Sequence, residues 1–388
     1  MVLTAHDRLS RGSARLARSF RSPLHDERTA AVLGIALGVA FSVCFLTGLV
    51  SHALQQPGGW WAWPTRPIWL YRVTQGLHVA TGLASVPLLL AKLWTVYPHL
   101  WAFPPARSIG HRLERLALLP LVGGSLFMLV TGVQNIARWY VWPFNFTAAH
   151  HAVAWITMGG LAVHVGAKLH VTRRALGGEA LPSGPPDAPG GLSRRGFLGA
   201  VAGAGATITV ATVGQTVRPL RGISVLAPRD PAVGPQGLPV NKTAAAARVA
   251  ESIHDPAYRL VVDGRVAEPH AFTLAELRAL PQREVRLPIT CVEGWSATGR
   301  WRGIPVADLL RLVGAPPGAT VRVTSLQERS RYRVSSLNGR QAADRDALLA
   351  LELNGEPLHP DHGFPVRLIA PNRPGVLQTK WLSRVEVR

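Results

Sequence analysis

The stretch LPITCVEGWS, residues 287–296, decides the fold of the C-terminal half of this chain. Its Val/Ile/Leu-rich part is typical of a β-strand, and the EGW sequence interrupts it, so Cys291 is predicted at a strand end. The only other cysteine, Cys44, lies inside a long apolar run, which leaves Cys291 without a plausible disulfide partner. A single Cys at a strand end is more often a buried apolar residue than a metal ligand. The rest of the chain favours the ligand.

The composition combines a membrane-like half with an ordinary globular half. Hydrophobic residues make up 47% of the chain and charged residues only 16%, and the apolar segments concentrate between residues 30 and 170. Lys and Arg number 42 against 22 Asp and Glu, which gives a formal net charge of +20. The arginines gather at the ends of apolar segments, the distribution that the positive-inside rule describes. We therefore expect membrane lipid as a partner and exclude nucleic acid, which needs a concentrated basic face.

Four apolar segments are each long enough to cross a bilayer, which takes roughly 20 residues. They predict an all-α transmembrane four-helix bundle over residues 30–172, with spans at 30–53, 69–97, 116–136 and 147–169. A basic leader, residues 1–29, precedes them, and a Pro/Gly-rich linker, residues 173–192, follows. The basic ends face the cytoplasm and the two Trp-rich loops face outward.

Histidines inside membrane spans are functional candidates, because polar groups are costly in lipid. His78 in the second span and His150 and His151 in the fourth lie near the outer ends of their helices, whereas His164 lies near an inner end. Two histidines facing each other at one depth can ligate a haem iron from opposite sides. We predict a haem held by His78 with His150 or His151, and we assign His151 as the second ligand. Structural helix–helix hydrogen bonds are the alternative, and His52 is a competing ligand.

The sequences HVATG (residues 78–82) and AHHAVAWITMGGLAVH (residues 149–164) resemble the b-type cytochrome subunits of respiratory formate dehydrogenases and hydrogenases. The resemblance covers residues 28–172 and implies haem b and electron exchange with the quinone pool. Those subunits usually carry a His near the inner end of the first span, where this chain has RTAAV. His164 therefore has no inner partner, and we expect one outer haem.

The sequence SRRGFL, residues 193–198, has the twin-arginine pattern, and an apolar run to residue 217 follows it. We predict a fifth transmembrane helix over residues 193–217 that leads residues 218–388 to the extracytoplasmic side of a bacterial-type plasma membrane. A plain fifth span is the alternative. An unpaired Cys is unusual in that oxidising compartment, and ligation to a metal would explain it.

Residues 218–388 alternate between strand and helix patterns, which predicts an α+β domain. We expect strands near 258–266, around Cys291, and at 320–325, 332–337, 365–370 and 381–387. Helices are expected at 272–280, within 301–313 and at 344–353. The segment contains no Gly-rich dinucleotide fingerprint and no phosphate loop.

Three motifs, CVEGWS, ELNGEPLHPDHGFPVRLIAP and TKWLSRVEV, resemble the catalytic domain of the sulfite oxidase superfamily of molybdenum-cofactor enzymes. The resemblance implies that Cys291 is the protein thiolate on molybdenum. It also implies that His362, Arg367 and Lys380, together with Asn241, hold the pterin and its phosphate. Structural ion pairs or helix caps are the alternative roles for these residues.

The residues after Cys291 predict the substrate class. Sulfite oxidases place arginines close behind this Cys, whereas here Glu293, Trp295 and Ser296 follow it. The CVE-aromatic sequence resembles the catalytic subunits of periplasmic methionine sulfoxide reductases. A carboxylate there would repel sulfite and could supply a proton to a departing oxygen. Glu293 is thus a catalytic candidate, the alternative being a surface carboxylate paired with Arg300 or Arg302.

These inferences together predict a membrane-bound molybdopterin oxidoreductase that transfers an oxygen atom to or from a small molecule. Reduction of an S- or N-oxide is favoured, and oxidation of sulfite is the alternative. Two other classes stay open: a molybdopterin enzyme whose helices only anchor it, and a non-catalytic binding module on a membrane anchor.

Overall fold

The computed structural model describes residue 12 and residues 22–56, 63–100, 109–177 and 192–388. Most of the basic leader, Trp60 and Trp61, the loop 101–108 and most of the linker lie outside the described residues. The chain divides into two compact units. The helical unit comprises Met1–Leu46 and Leu77–Thr212, and the β-rich unit comprises Thr47–Gly76 and Val213–Arg388.

Five long helices occur where the apolar segments predict them. They are α1 (Glu27–Leu54), α2 (Leu70–Leu100), α3 (Ile109–Ala137), α4 (Phe146–Leu176) and α5 (Arg194–Val213). Their length and composition suffice to cross a membrane. The last turns of α1 and the first turns of α2 belong to the β-rich unit.

Helices α3 and α4 pack closely within the helical unit because small residues lie at their contact. A Cβ atom at Gly160 would lie 3.3 Å from the backbone nitrogen of Leu121, so a larger residue there would push the helices apart. Small residues at such contacts let apolar helices gain dispersion energy. Near one end of the same pair, Lys168 and Glu114 form an ion pair at 2.7 Å.

The β-rich unit contains two five-stranded sheets. The first has the order β2 (His270–Phe272), β1 (Leu260–Gly264), β10 (Leu382–Val387), β5 (Val321–Ser325) and β6 (Val334–Leu337). Only β1 and β10 pair in parallel; the other neighbours in this sheet are antiparallel. The second, antiparallel sheet has the order β3 (Arg283–Thr290), β4 (Ser296–Pro305), β7 (Leu348–Leu353) and β8 (Glu356–Pro357), with β9 (Arg367–Ile369) paired to β7.

Four short helices pack with the strands of this unit and contribute to its apolar cores. They are α6 (Ala244–Ala247), α7 (Leu274–Ala279), α8 (Val306–Leu312) and α9 (Gly339–Ala342). Leu277 of α7 and Leu309 of α8 pack with Leu260 of the first sheet in one core. The second core contains Cys291 and Trp301 and belongs to the β3–β4–β7 sheet. The predicted α+β architecture is thus present.

Two predicted helices in this unit differ from the structure. Residues 344–353 are not helical: Leu348–Leu353 form strand β7, buried along nearly its whole length. A strand buried on both faces carries a continuous apolar run, which periodicity cannot distinguish from a buried helix. Within residues 301–313 only Val306–Leu312 is helical, because the preceding residues continue strand β4.

Candidate cofactor site

Cys291 lies in a tight turn at the end of strand β3. Its backbone N–H donates to the carbonyl of Trp295 at 2.9 Å, and the N–H of Gly294 donates to the carbonyl of Cys291 at 3.2 Å. Gly294 has a φ of +93°, a conformation that glycine adopts without the steric cost of a side chain. The turn fixes the position of the Cys291 side chain, which is buried. We call residues 291–295 the ligand loop.

The thiol of Cys291 accepts a hydrogen bond from Asn241, but its burial and a nearby carboxylate disfavour the thiolate form. The side-chain amide of Asn241 donates a hydrogen bond to Sγ at 2.9 Å. Burial, and then the charge of Glu293, raise the pKa of the thiol to about 12. Such a thiol ionises at neutral pH only beside a strong positive charge, and a high-valent metal supplies one. The arrangement fits a thiolate ligand to molybdenum.

Glu293 is a buried carboxylate in the ligand loop. It is 4% exposed, and its Oε2 accepts a hydrogen bond from the indole nitrogen of Trp295 at 2.9 Å. The arginines that would pair with a surface carboxylate contact other residues: Arg300 lies 4.0 Å from Glu284, and Arg302 lies 3.4 Å from Glu352. Because Glu293 is buried, it is not the surface carboxylate considered as the alternative.

Arg367 is buried and forms no ion pair with a carboxylate of the described residues. Its Nη1 donates to the carbonyl of His362 at 2.8 Å and its Nη2 to that of Gln378 at 3.1 Å, while Nε has no hydrogen-bond acceptor in the described part of the chain. The guanidinium also lies 4.9 Å from the centre of the Trp301 ring. Burial lowers the pKa of Arg367 to about 9, which still leaves it charged at neutral pH.

Lys380 and His362 are further predicted pterin-binding residues beside Arg367, and burial lowers the pKa of His362 to about 4, so its ring is neutral at neutral pH. The ammonium of Lys380 donates to the carbonyls of Lys242 and Asp361, and burial lowers its pKa to about 7. A ring nitrogen of His362 lies 2.7 Å from the carbonyl of Pro235. Buried cations without carboxylate partners are costly, and an anionic ligand such as a phosphate relieves that cost.

Gly363 brings two of these cations together. It has a φ of +112°, and a Cβ atom there would lie 3.0 Å from Cβ of Arg367 and 3.1 Å from Cβ of Lys380. A side chain at this position would therefore occupy the space between Arg367 and Lys380. The hydrogen-bond donors of Arg367 and Lys380 suit a pterin phosphate, and the Cys291 thiol of the ligand loop suits its metal.

No group of three or more His, Cys, Asp or Glu side chains within the described ranges could hold a metal by itself. The sulfite oxidase resemblance implies that Cys291 is the one protein ligand to the metal and that the cofactor supplies the remaining ligands.

Three further side chains fix this site, and sequence motifs did not indicate them. The amide of Gln75 donates to the carbonyl of Val292 at 2.7 Å, and the hydroxyl of Thr216 accepts from the N–H of Ser296 at 3.2 Å. Asn372 accepts from the N–H of Tyr71 at 2.7 Å. For Gln75 the sequence did contain one signal, because a polar residue within a predicted membrane span is a functional candidate. Gln75 is buried in the structure.

In the helical unit, His78 and His150 have the same pattern of hydrogen bonds. Nδ1 of His78 lies 2.8 Å from the carbonyl of Cys44, and Nδ1 of His150 lies 2.8 Å from the hydroxyl of Thr131. In both rings Nε2 has no hydrogen-bond partner among the described residues. Metal-ligating histidines commonly use one ring nitrogen in this way and leave the other for the metal.

The other candidate histidines are arranged differently. Nε2 of His151 accepts a hydrogen bond from the indole of Trp155 at 3.4 Å, and Nε2 of His52 lies 3.2 Å from the amide nitrogen of Gln56. Nδ1 of His164 is buried and has no hydrogen-bond partner within the described ranges. By sequence, His52 belongs to the β-rich unit, and the other histidines named here belong to the helical unit.

Comparisons with known proteins give one domain match and several relatives. Residues 246–388 match the model of the family described as "Oxidoreductase molybdopterin binding domain". A putative protein-methionine-sulfoxide reductase subunit, YedZ1, of Azospira oryzae is 37% identical over 34% of this chain and 48% of its own length. Mitochondrial sulfite oxidase of Drosophila melanogaster is 34% identical over 34% of this chain and 27% of its own length.

A third relative extends the range of reactions. NADH nitrate reductase 2 of Phaseolus vulgaris is 33% identical over 32% of this chain and 18% of its own length. The chain thus spans less than half the length of each of these relatives. The family match includes Cys291, the DHGFPVR segment and Lys380. Residues 246–388 thus match an oxidoreductase molybdopterin-binding domain, the kind of domain that the sulfite oxidase resemblance predicts.

Proposed function

We propose that this protein is a membrane-bound molybdenum enzyme that removes an oxygen atom from a small S- or N-oxide. The single observation that carries the substrate class is the pairing of Cys291 with a buried carboxylate, Glu293, in one turn. No arginine follows Cys291 within the ligand loop. A negative group beside the metal ligand disfavours an anionic substrate such as sulfite and tolerates a neutral oxide.

Each residue of the candidate site has a separate role in this proposal. Cys291 would bind the metal, with the amide of Asn241 orienting its sulfur. Arg367, Lys380 and His362 would hold the pterin and its phosphate. The bound cofactor supplies two-electron oxygen-atom transfer. Glu293, held at Oε2 by Trp295, would take up protons from water and relay the two that the oxygen removed from the substrate requires to leave as water.

The name of one relative supports the same substrate class. The Azospira oryzae protein is named as a subunit of a putative protein-methionine-sulfoxide reductase, which reduces an S-oxide. The named sulfite oxidase and nitrate reductase keep the second candidate open: oxidation of sulfite or a similar anion at the same centre. That candidate is favoured by the DHGFPVR segment, which resembles sulfite oxidase.

We further propose that electrons pass one at a time through one b haem in the helical unit, to or from the quinone pool. His78 and His150 are the ligands that hydrogen bonding supports, because each uses Nδ1 elsewhere and leaves Nε2 unbonded. His151 is less well suited, since its Nε2 already accepts from Trp155. Five apolar helices support membrane insertion. The SRRGFL motif supports export of the β-rich unit to the extracytoplasmic side.

One purified sample of the full chain in detergent tests this proposal. We expect about one molybdenum and one b haem per chain, and oxidation of a reduced dye by dimethyl sulfoxide, methionine sulfoxide or trimethylamine N-oxide. Molybdenum without haem would instead indicate helices that only anchor the enzyme. Protein without molybdenum, exported by an intact twin-arginine system, would indicate a non-catalytic binding module. Turnover with sulfite and an electron acceptor, and none with oxides, would establish the second candidate.

A further inference from the structure

A cavity of about 240 Å³ lies in the β-rich unit. It is far larger than the roughly 30 Å³ that one water molecule occupies in the liquid. Neither Cys291 nor Glu293 lines it. The polar side chains that line it are those of Gln56, Trp63, Thr320, Ser336, Asn338, Gln341 and Arg373.

Arg373 is the charged residue of this cavity. It is 5% exposed, and its Nη1 donates to the carbonyl of Ser336 at 2.9 Å and to Oε1 of Gln341 at 3.1 Å. Its Nε and Nη2 have no acceptor in the described part of the chain. These two N–H groups form one edge of the planar guanidinium, the edge that binds a carboxylate or another oxyanion with two parallel hydrogen bonds.

The orientation of that guanidinium is fixed by a neighbouring helix. Gln341 accepts at Oε1 from the N–H of Asn338 at 3.1 Å, and its own N–H donates to the side chain of Asn338 at 2.9 Å. This capping box at the start of α9 holds Oε1 of Gln341 in place. Because Nη1 of Arg373 donates to this fixed oxygen, the orientation of the guanidinium, and with it of the Nε–Nη2 edge, is also fixed.

The charge of Arg373 is not balanced within the protein. Arg373 forms no ion pair with a carboxylate of the described residues, and burial lowers its pKa only to about 10, so it is charged at neutral pH. A buried charge without a partner is strongly destabilising. The indole N–H of Trp63 is a second buried donor of the cavity without an acceptor. The cavity thus offers three unused donors and one uncompensated positive charge.

We propose that this cavity binds a small oxyanion, a carboxylate or an inorganic anion of comparable size, on the Nε–Nη2 edge of Arg373. The indole N–H of Trp63 is a further donor available to the anion. Because Cys291 and Glu293 do not line the cavity, the bound anion is a ligand separate from the molybdenum substrate. The site does not depend on which oxide the enzyme reduces.

Isothermal titration calorimetry of the full-length holoenzyme in detergent tests the proposal, with sodium acetate and sodium sulfate as separate probes. We expect saturable binding of at least one probe, and Arg373→Gln should weaken it about tenfold or more, as loss of a charge-assisted double hydrogen bond does. Trp63→Phe keeps the ring and removes one donor, and should weaken binding about threefold. Comparison of the probes separates a planar carboxylate site from a tetrahedral one.

Arg311→Gln is the matched control, because Arg311 is exposed and pairs with Asp308 within α8. It should bind both probes as the unmodified enzyme does. The proposal is overturned by absence of saturable binding of either probe, or by wild-type affinity in Arg373→Gln. A shift of the molybdenum paramagnetic resonance spectrum on saturation with the probe would also overturn it, by placing the anion at the metal. If Arg373→Gln does not fold, unchanged affinity in Trp63→Phe overturns the donor assignment.

Discussion

The side-chain amide of Gln75 donates a hydrogen bond of 2.7 Å to the carbonyl oxygen of Val292, the residue after Cys291. The other end of the same amide accepts from the hydroxyl of Ser51 at 2.6 Å, which fixes the orientation of the amide. Both residues come from the parts of α1 and α2 that belong to the β-rich unit. The ligand loop is therefore held in place by Gln75 and Ser51, which lie more than two hundred positions before it in the sequence.

We predict that Gln75→Leu disturbs the molybdenum centre without releasing the metal. The substitution leaves the Val292 carbonyl and the Ser51 hydroxyl without their partner, at a cost of about 1–3 kcal/mol for each buried group. We expect a shifted molybdenum paramagnetic resonance spectrum and lower turnover at unchanged metal content. Thr74→Val is the control, because the Thr74 hydroxyl bonds only within its own helix, to the carbonyl of Tyr71. A Gln75→Leu spectrum identical to that of the control would contradict the prediction.

We predict that Cys291→Ser abolishes turnover and alters the molybdenum signal but leaves any haem spectrum unchanged. A hydroxyl is a hard, weakly acidic ligand and cannot replace a thiolate on a metal that is also held by sulfur. Oxide-dependent oxidation of a reduced dye and the haem difference spectrum, recorded on the same sample, provide the two measurements. Asn241→Leu should be milder, since it removes only the hydrogen bond to Sγ. Full turnover in Cys291→Ser would contradict the assignment of Cys291 as the metal ligand.

Much of the cofactor site could be predicted from sequence, because its residues lie in short motifs. Cys291 is placed by a strand that ends at a glycine turn, and Arg367 and Lys380 lie close to a glycine that must adopt a positive φ. The five apolar helices were predictable because their length and composition are determined locally. These features depend on neighbours within a few positions in the chain.

The parts that were not predicted depend on contacts between distant residues. Gln75 lies 217 positions from Val292, and Tyr71 lies 301 positions from Asn372, so no local pattern could pair them. The burial of Glu293 likewise results from tertiary packing around the ligand loop. Strand β7 was mistaken for a helix because both of its faces are buried, which removes the alternation that identifies a strand.

We predict that Lys380 makes a contribution to the stability of the cofactor-free protein that rises with pH between about 7 and 10.5. Burial lowers the pKa of Lys380 from 10.5 to about 7 in the folded protein. Between these two values the unfolded chain binds the proton and the folded chain does not, so raising the pH favours folding. Lys380→Met should flatten this rise, whereas Arg384→Met, at an exposed ion pair with Asp263, should keep it.

The bound cofactor should remove the same pH dependence, because an anionic phosphate favours the charged form of Lys380. Thermal unfolding at pH 7 and pH 9.5, of holoenzyme and of protein from cells unable to make molybdopterin, measures both effects. A rise of equal size in Lys380→Met and in the unmodified cofactor-free protein would show that another group titrates.

We predict that His150→Ala loses the b haem and that His151→Ala keeps it. Nδ1 of His150 bonds to the hydroxyl of Thr131, so its Nε2 is available to the iron, whereas Nε2 of His151 already accepts from Trp155. Reduced-minus-oxidised spectra and haem content per chain distinguish the two variants, and His78→Ala should resemble His150→Ala. Thr131→Val probes the mechanism further: without its partner the His150 ring loses its orientation, and the haem should bind more weakly. Haem loss confined to His151→Ala would assign the second ligand to His151, and full haem content in all three histidine variants would leave the helices as an anchor.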